Sequence, residues 1–355
     1  MTRLHDPNAR GFASDNYAGA HPEILQAISD ANDGHQISYG EDVYTHALEE
    51  RVRELFGERA EVFPVFNGTG ANVTALTGML PRWGAVVSSA TAHIHTDENG
   101  APERVSGLKL LTVSTPDGKL TPDLIDQEAW GWGDEHRAQP LAVSITQSTE
   151  LGTLYSLAEL KAITGHAHAK GMTVHLDGAR LANAAAALGV SLRELTTDAG
   201  VDVLSFGGTK NGMLYGEAIV VLNPDAVDGL LYLRKLNMQL ASKMRFVSAQ
   251  FLALLEDDLW LRSANHANAM AAHLRRSLED RISDGSIVGL SFSQPTQANA
   301  VFAVLPPGVA DRLRTVFRFY DWNAAAGEVR WMCSFDTTES DVDTFVAAIA
   351  KELAP

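Results

Sequence analysis

Short apolar runs alternate with helix-like stretches along residues 60–223. The runs have the length and composition of buried strands. They are EVFPVFN (61–67), AVVSSA (85–90), LKLLTVS (108–114), LAVSIT (141–146), MTVHL (172–176), VDVLSF (201–206) and EAIVVLN (217–223). Helices are predicted between them at GTGANVTALTGML, LAELKAITGHAHAK and LANAAAALG. Strands that alternate with helices predict a mostly parallel sheet covered on both faces, and therefore an α/β fold.

The pattern changes after about residue 230. A long helical stretch is predicted over roughly 227–282, and the shorter apolar runs VGLSF, NAVFAVL and VRWMCSF follow it. This second pattern predicts a small α+β domain. We therefore expect an N-terminal arm at 1–20, a large domain at 21–245, and a small C-terminal domain with its connecting helix at 246–355.

The composition is that of a soluble globular protein, because 45% of the 355 residues are hydrophobic and 20% are charged. The formal net charge of −16 argues against nucleic acid and anionic membranes as partners. Cys333 is the only cysteine, so no intrachain disulfide forms, which suits a reducing cytosol. MTRLHDPNARGF lacks the apolar segment of a secretory signal, and no apolar run is long enough to span a bilayer. We expect a cytoplasmic protein.

Four polar segments directly follow predicted strands. In an open parallel sheet, ligands bind beyond the carboxyl ends of the strands. We therefore expect these groups to converge on one edge of the sheet. They are Asn67–Gly70, Asp177 with Arg180, Thr209–Lys210, and the loop TQSTELG at 146–152.

Three of these groups have two interpretations when each is considered alone. The Gly68-Thr69-Gly70 turn suits a phosphate, but it matches neither GxxxxGK[ST] nor GxGxxG and could be an ordinary strand-to-helix turn. Asp177 could cap the next helix or face a cofactor nitrogen. Arg180 could be a surface residue or clamp a carboxylate through two hydrogen bonds.

Lys210 lies in SFGGTKNG, between an apolar strand and a glycine. A buried lysine loses affinity for its proton, and the neutral amine is the nucleophile that forms Schiff bases. The alternative is a solvated loop charge, which the preceding strand and the glycines disfavour. We expect the glycines to let a flat cofactor ring reach the amine. A lysine, an acid for the ring nitrogen and a phosphate cup together form the set that a pyridoxal phosphate enzyme needs.

Longer motifs strengthen this interpretation. They are FASDNYAGAHPEI (12–24), YGEDVYTHALEERV (39–52), FNGTGAN (66–72), AHIHTDENGA (92–101), HLDGARLANAAAALG (175–189), SFGGTKNG (205–212) and VRWMCSFDTTE (329–339). Through them the chain resembles the threonine aldolase branch of the β-eliminating lyase group. These proteins are pyridoxal 5'-phosphate (PLP) enzymes of fold type I. The resemblance implies an aspartate-aminotransferase-like large domain with a mostly parallel mixed sheet, and a small α+β C-terminal domain.

The resemblance also implies a role for individual residues. Lys210 would be the Schiff-base lysine, Asp177 the partner of the pyridine nitrogen, and His93 the ring that stacks on the cofactor. Arg245 would help to bind the phosphate, from a neighbouring subunit. The full cofactor-binding set is Gly68, Thr69, Gly70, His93, Asp177, Arg180, Thr209, Lys210 and Arg245. The substrate-binding set is Ser14, Tyr39, Arg180 and Arg330, of which all but Tyr39 would hold the substrate carboxylate, and no metal is expected.

One stretch departs from the family pattern. Better-known threonine aldolases have a histidine in a motif like NTHNG after the strand LAVSIT, whereas this chain has QSTELG, with Glu150 at that place. The catalytic set therefore contains Lys210, Asp177, His93 and Glu150. The base for the β-hydroxyl proton is His93, Glu150 or a water between them.

The resemblance implies a function and an assembly. The function is cleavage of L-threonine, L-allo-threonine or related β-hydroxy-α-amino acids to glycine and an aldehyde, in a homotetramer built as a dimer of dimers. The alternatives are a phenylserine-type aldolase, another β-eliminating PLP lyase, and a PLP-binding protein without turnover. A nucleotide-binding α/β domain is disfavoured because the phosphate-loop motifs are missing.

Overall fold

The computed structural model describes residues 2–355, which form two compact units. The larger unit is Gly19–Arg262, and the smaller unit combines the N-terminal segment up to Ala18 with Ser263–Pro355. The boundary between the units thus follows residue 262, whereas the sequence pattern predicts it after residue 245.

The larger unit contains a seven-stranded sheet in the order β1-β7-β6-β5-β4-β2-β3. Its strands are β1 (Glu61–Val65), β2 (Gly84–Ser89), β3 (Lys109–Val113), β4 (Gln139–Thr146), β5 (Thr173–Gly178), β6 (Val203–Gly207) and β7 (Glu217–Val221). Strands β2 to β6 run parallel, and β7 is antiparallel to both of its neighbours. This confirms the predicted α/β fold with a mostly parallel mixed sheet.

Several helices begin at residues whose side chains cap them. The Ser156 hydroxyl accepts a hydrogen bond from the Glu159 amide, and the Glu159 carboxylate accepts one from the Ser156 amide, which closes a capping box. The helices are α1 (Pro22–Asp30), α2 (Val43–Phe56), α3 (Gly68–Met79), α4 (His93–Thr96), α5 (Ala101–Val105), α6 (Pro122–Asp126), α7 (Leu157–Ala169), α8 (Leu181–Leu188), α9 (Leu192–Leu195), α10 (Leu230–Leu236), α11 (Arg245–Leu255) and α12 (Leu259–Ser283). Short 3-10 helices occur at Asp15–Tyr17, Thr197–Ala199, Thr209–Asn211, Pro224–Ala226, Glu256–Asp258 and Ala324–Ala326.

The single long helical stretch predicted over 227–282 is wrong, because three helices, α10 to α12, occupy it. The chain enters the left-handed region at Met238, with φ of 61°, and again at Asp257 and Asp258, with φ of 45° and 55°. A right-handed helix cannot continue through residues in that conformation. No glycine or proline lies at either break, so the sequence does not predict them.

The smaller unit has a four-stranded antiparallel sheet in the order β10-β11-β9-β8. An aromatic cluster forms much of its core, with the rings of Phe12 and Phe345 stacked at 4.4 Å and Trp331 edge-on to Phe345 at 5.2 Å. The predicted small α+β fold is confirmed. The elements are β8 (Ser291–Phe292), β9 (Ala300–Val304), β10 (Tyr320–Asn323), β11 (Glu328–Met332), α13 (Val309–Arg314) and α14 (Glu339–Glu352).

The sheet of the larger unit gathers five loops at one edge. Because β7 is antiparallel to both β1 and β6, β1 runs in the same direction as β6. The segments after β1, β2, β4, β5 and β6 therefore leave the sheet on the same side, where most of the predicted site residues of this unit lie. Among residues 2–355, none of the helices combines the length and the apolar character needed to cross a membrane.

Candidate active site

A cavity of about 390 Å³, counted with its open mouth, lies at this edge of the sheet. Six of the residues around it are those that the sequence analysis singled out: Lys210, Asp177, His93, Glu150, Arg180 and Gly68. The remaining lining residues are Asn72, Thr146, Ser148 and Ala179. The segments that end or follow five strands, β1, β2, β4, β5 and β6, thus contribute to one site.

Asp177 is a buried carboxylate that points into this cavity from the end of β5. Its Oδ2 accepts a hydrogen bond from Asn72 Nδ2 at 2.9 Å, and its Oδ1 accepts one from the Ala179 amide at 3.0 Å. Burial alone would raise the pKa of Asp177. The charges of Lys210 and His93 and the hydrogen bond from Asn72 outweigh burial and hold this pKa below its ordinary value. The site therefore contains a buried anion at neutral pH.

Lys210 lies in the 3-10 helix Thr209–Asn211, directly after β6. Close packing explains the two glycines before it, Gly207 and Gly208. A Cβ added at Gly207 would lie 2.5 Å from the Ala179 carbonyl oxygen, and one at Gly208 would lie 2.8 Å from the Gly216 carbonyl oxygen. The expectation that these glycines serve the approach of a cofactor ring needs correction, because the protein's own backbone fills the space beside them.

His93 begins α4 and is oriented by a second buried carboxylate. Its Nδ1 lies 2.8 Å from Glu98 Oε1, and the same oxygen accepts a hydrogen bond from Asn72 Nδ2 at 2.8 Å. The hydrogen bond with Glu98 raises the pKa of His93 above its ordinary value, against the effect of burial. Asn72 thus connects Glu98 to Asp177. Because Glu98 occupies Nδ1, Nε2 is the ring nitrogen of His93 that can act on a ligand.

Sequence reasoning assigned no role to Asn72 or Glu98. Both lie inside motifs that it quoted, FNGTGAN and AHIHTDENGA. Asn72 is on α3 one helical turn after Gly68. Side chains on a helix tilt toward its N-terminus, so this spacing places the polar side chain of Asn72 near the phosphate turn and could have indicated a role in the site.

Glu150 lies in the same pocket, in the loop after β4. Its Oε1 accepts hydrogen bonds from the His93 amide and from the Thr146 hydroxyl, both at 2.8 Å. Burial, reinforced by the charge of Asp177, raises the pKa of Glu150 to about 6. A carboxylate with such a pKa can take up and release a proton close to neutral pH.

The N-terminus of α3 provides an open position for an anion. A Cβ added at Gly68 would meet no atom within 4 Å, and exposed amides at a helix N-terminus favour a phosphate. The Gly70 amide already donates to the capping side chain of Asn67 at 2.8 Å. The Thr209 hydroxyl exchanges hydrogen bonds with the backbone of Gly216, donating at 3.3 Å and accepting at 3.1 Å.

The remaining predicted residues of the larger unit lie outside the cavity lining. Tyr39 is half exposed, with φ of 64°, and the Lys235 amine lies 5.2 Å from the centre of its ring. Arg245 begins α11 and donates to the carbonyls of Gly34 and Asn32, at 3.2 and 3.4 Å. Their predicted contacts with substrate and phosphate stay predictions.

Ser14 and Arg330 belong to the smaller unit. The Ser14 hydroxyl caps a 3-10 helix by accepting from the Asn16 amide at 3.2 Å. Arg330 lies on β11, and its guanidinium is 4.9 Å from the centre of the Trp322 ring. Their predicted role toward a substrate carboxylate also stays a prediction.

The residues of the cavity fit pyridoxal 5'-phosphate. An ionised, buried carboxylate suits a cationic ring nitrogen, Lys210 supplies an amine, and α3 offers an open N-terminus for the phosphate. Two buried oxygens of the Asp177–Asn72–Glu98 network, Asn72 Oδ1 and Glu98 Oε2, have no hydrogen-bond partner within the described part of the chain. Such atoms cost free energy unless a ligand or water satisfies them.

This fold and this set of residues define a PLP-dependent enzyme of fold type I. Residues 11–305 match the beta-eliminating lyase family, and the chain belongs to that family. It is 45% identical over 340 residues to a low specificity L-threonine aldolase from a Pseudomonas species, which covers 95% of this chain and 96% of that protein.

Two further comparisons agree with this assignment. A low specificity L-threonine aldolase from Pseudomonas aeruginosa is 46% identical over 328 residues, 92% of this chain and 93% of its own length. The solved structure of the Leishmania major threonine aldolase superposes with a TM-score of 0.89 at 30% identity, over 97% of this chain and 99% of that one. The similarity therefore extends through both units.

Proposed function

We propose that the protein is a low-specificity L-threonine aldolase, which cleaves L-threonine, L-allo-threonine or related β-hydroxy-α-amino acids to glycine and an aldehyde. The observation that carries this proposal is the convergence of Lys210, Asp177 and His93 on one cavity, in a chain 45% identical to such an aldolase. The reaction breaks the Cα–Cβ bond of the substrate by a retro-aldol step.

The enzyme depends on pyridoxal 5'-phosphate. When bound, this coenzyme supplies an electron sink for the pair of electrons left on Cα as the Cα–Cβ bond breaks. Within the proposal, Lys210 binds the coenzyme covalently, His93 lies against the ring, and the amides of Gly68 and Thr69 bind the phosphate. Asp177 pairs with the ring nitrogen and keeps it protonated, because an adjacent negative charge favours the cationic form.

Substrate orientation is the task of the arginines in this proposal. Arg180 lines the cavity and would clamp the substrate carboxylate, together with Arg330 and Ser14. A substrate held by its amine can still rotate about its N–Cα bond, and this torsion decides which bond at Cα breaks. Holding the carboxylate fixes the torsion. The clamp would thus select Cα–Cβ.

Glu150 is our candidate for the group that accepts the β-hydroxyl proton. It is ionised at neutral pH, since its pKa is about 6, and it lines the cavity beside His93. His93 is the second candidate through Nε2, because Glu98 occupies Nδ1. A proton accepted by either group is available again when Cα is reprotonated to give glycine.

The products decide between the proposed function and its alternatives. Holoenzyme is incubated with L-threonine, L-allo-threonine and L-phenylserine, and aldehyde, glycine, ammonia and keto acid are measured. The aldolase proposal predicts aldehyde and glycine in equal amounts. Ammonia with a keto acid would instead show β-elimination, turnover of phenylserine alone would show the narrower aldolase, and no product would leave a PLP-binding protein without turnover.

We also propose a cytoplasmic homotetramer, built as a dimer of dimers. A reducing compartment is supported by Cys333, the only cysteine, which is buried as a free thiol. Association is supported by large apolar side chains that lie exposed on and after α10: Leu231, Tyr232, Leu236 and Met238. Light scattering behind size-exclusion chromatography tests the assembly, and a monomer at micromolar concentration would refute it.

A further inference from the structure

A buried carboxylate that has no part in the proposed chemistry lies beside the lysine turn. Glu217 is the first residue of β7 and is 7% exposed. The register pairs it with Gly207 of β6 on one side and with Val65 of β1 on the other. Strand β6 leads into the Lys210 turn, and β1 leads into the N-terminus of α3. Glu217 therefore lies between the two segments proposed to bind the coenzyme.

The carboxylate of Glu217 is hydrogen-bonded to the turn itself. The Gly208 amide donates to Glu217 Oε2 at 2.9 Å, and Thr209 also donates to this carboxylate. The residue before the 3-10 helix Thr209–Asn211 is Gly208, which has no side chain to cap it. The carboxylate of Glu217, on the neighbouring strand β7, caps the helix instead, two residues before Lys210.

Glu217 also interacts with Lys210 through charge. Burial raises the pKa of Glu217 to about 7, and the positive charge of Lys210 opposes that rise. Such an interaction is reciprocal, so an ionised Glu217 favours the charged form of the Lys210 amine. Other charged or titratable groups around this amine include Asp177 and His93, which interact with it electrostatically, and Glu150 and Arg180, which line the same cavity.

We propose that Glu217 is a positioning residue for Lys210: it fixes the turn that carries the lysine and directs a negative charge at its amine. This inference rests on the proposed role of Lys210. Two substitutions separate the two functions of this side chain. Glu217→Gln keeps an oxygen that can accept the hydrogen bond from Gly208 but loses the charge. Glu217→Ala loses both the hydrogen bond and the charge.

The charge is tested on full-length protein from which the coenzyme has been removed. Reductive methylation with formaldehyde and a mild hydride reports the neutral amine, and peptide mass spectrometry gives the extent at residue 210 as a function of pH. For Glu217→Gln we expect the midpoint of labelling to move to lower pH by about one unit, because a facing charge no longer favours the ammonium. An unchanged midpoint would overturn the proposed charge effect.

The matched control is Asp202→Asn. Asp202 is also a buried carboxylate of this sheet, but it precedes β6 at the opposite edge and accepts from the Val174 amide at 2.7 Å. This substitution should leave the labelling midpoint of Lys210 where it is in the parent protein. An equal shift in both variants would show a general effect of buried charge and overturn the proposal.

The hydrogen bond is tested by coenzyme uptake at a limiting concentration. Glu217→Gln should bind about as much coenzyme as the parent, and Glu217→Ala about tenfold more weakly, since a buried amide loses its acceptor. Parent-like binding by Glu217→Ala would overturn the positioning role, and if this variant does not fold, the labelling midpoint of Glu217→Gln decides. Absence of coenzyme on Lys210 in the parent would refute the proposed function, whereas the labelling test still decides the effect of Glu217.

Discussion

Glu150 stands where better-known threonine aldolases have a histidine, and its pKa is raised above the ordinary value of a carboxyl group. It is partly buried, accepts two hydrogen bonds, and has a pKa of about 6. We predict that Glu150→Gln lowers turnover of L-threonine by about 100-fold, the usual value of a positioned proton acceptor, with coenzyme content unchanged.

Steady-state kinetics with the coenzyme content measured in parallel checks this prediction. The control is Glu159→Gln, because Glu159 caps α7 at Ser156 and does not line the cavity. Equal turnover in Glu150→Gln and the parent would remove Glu150 from the reaction and leave His93 or a water as the base.

Glu98 acts on His93 rather than on a substrate. Its hydrogen bond to Nδ1 is the main reason why the pKa of His93 lies above its ordinary value. We predict that Glu98→Gln moves the titration of His93 to lower pH by about one unit, as loss of an adjacent negative charge requires. Proton NMR of the histidine rings measures this midpoint, and a shift to higher pH or no shift would contradict the described contact.

The sequence contained enough information for some of the site and not for the rest. Lys210 and Asp177 directly follow strands, so the chain order alone predicts that they share an edge of the sheet. Asn72 contacts Asp177 and Glu98, which lie 105 and 26 positions away in the sequence, and no local pattern predicts such pairs. The role of a polar side chain inside a helix becomes visible only when its partner is known.

At the level of elements, the turn after β6 is specified by close backbone packing. A Cβ on Gly207 would lie 2.5 Å from the Ala179 backbone. The clash cannot be relieved by moving a side chain, because the contacted atoms are backbone atoms. We predict that Gly207→Ala lowers the free energy of unfolding by about 1–3 kcal/mol, the usual cost of overpacking. Urea unfolding measures the change, and coenzyme binding should weaken as well.

The matched control is Gly165→Ala. Gly165 lies inside α7, and a Cβ there would meet no atom within 4 Å. Alanine favours a helix interior, so this substitution should stabilise the protein by about 0.5–1 kcal/mol. Stabilisation in both variants would contradict the close approach at Gly207.

Elements with strong apolar runs were predictable, whereas helix breaks were not. Strands β1 to β7 correspond to the seven runs in the sequence, because a short continuous apolar run is typical of a buried strand. The break between α11 and α12 depends on Asp257 and Asp258 in the left-handed region. Both residues are exposed, so the pattern of apolar positions does not mark this break.

At the level of the whole molecule, buried carboxyl groups make stability depend on pH. Burial raises the pKa of Glu150 from 4.5 to about 6, so the folded protein keeps a proton that the unfolded chain has lost. Stability is therefore lost as pH rises between 4.5 and about 6, by about 2 kcal/mol in total. Glu150→Gln should abolish this part of the loss.

The difference between parent and variant is the quantity to measure, because His175 acts in the opposite direction. Burial lowers the pKa of His175 to about 4, so its effect stabilises the protein as pH rises over the same range. Thermal unfolding at pH 4.5 and pH 6.5 gives the difference. A variant that gains nothing relative to the parent at the higher pH would contradict the assigned burial of Glu150.

The proposed function depends on one covalent attachment, at the amine of Lys210. The most direct measurement is reduction of the coenzyme-loaded protein with borohydride, followed by digestion and mass spectrometry of the peptide that spans residues 205–212. We expect the reduced coenzyme on Lys210, and loss of the label in Lys210→Ala. A protein that retains no coenzyme on this peptide, or that carries it on another lysine, would contradict the account.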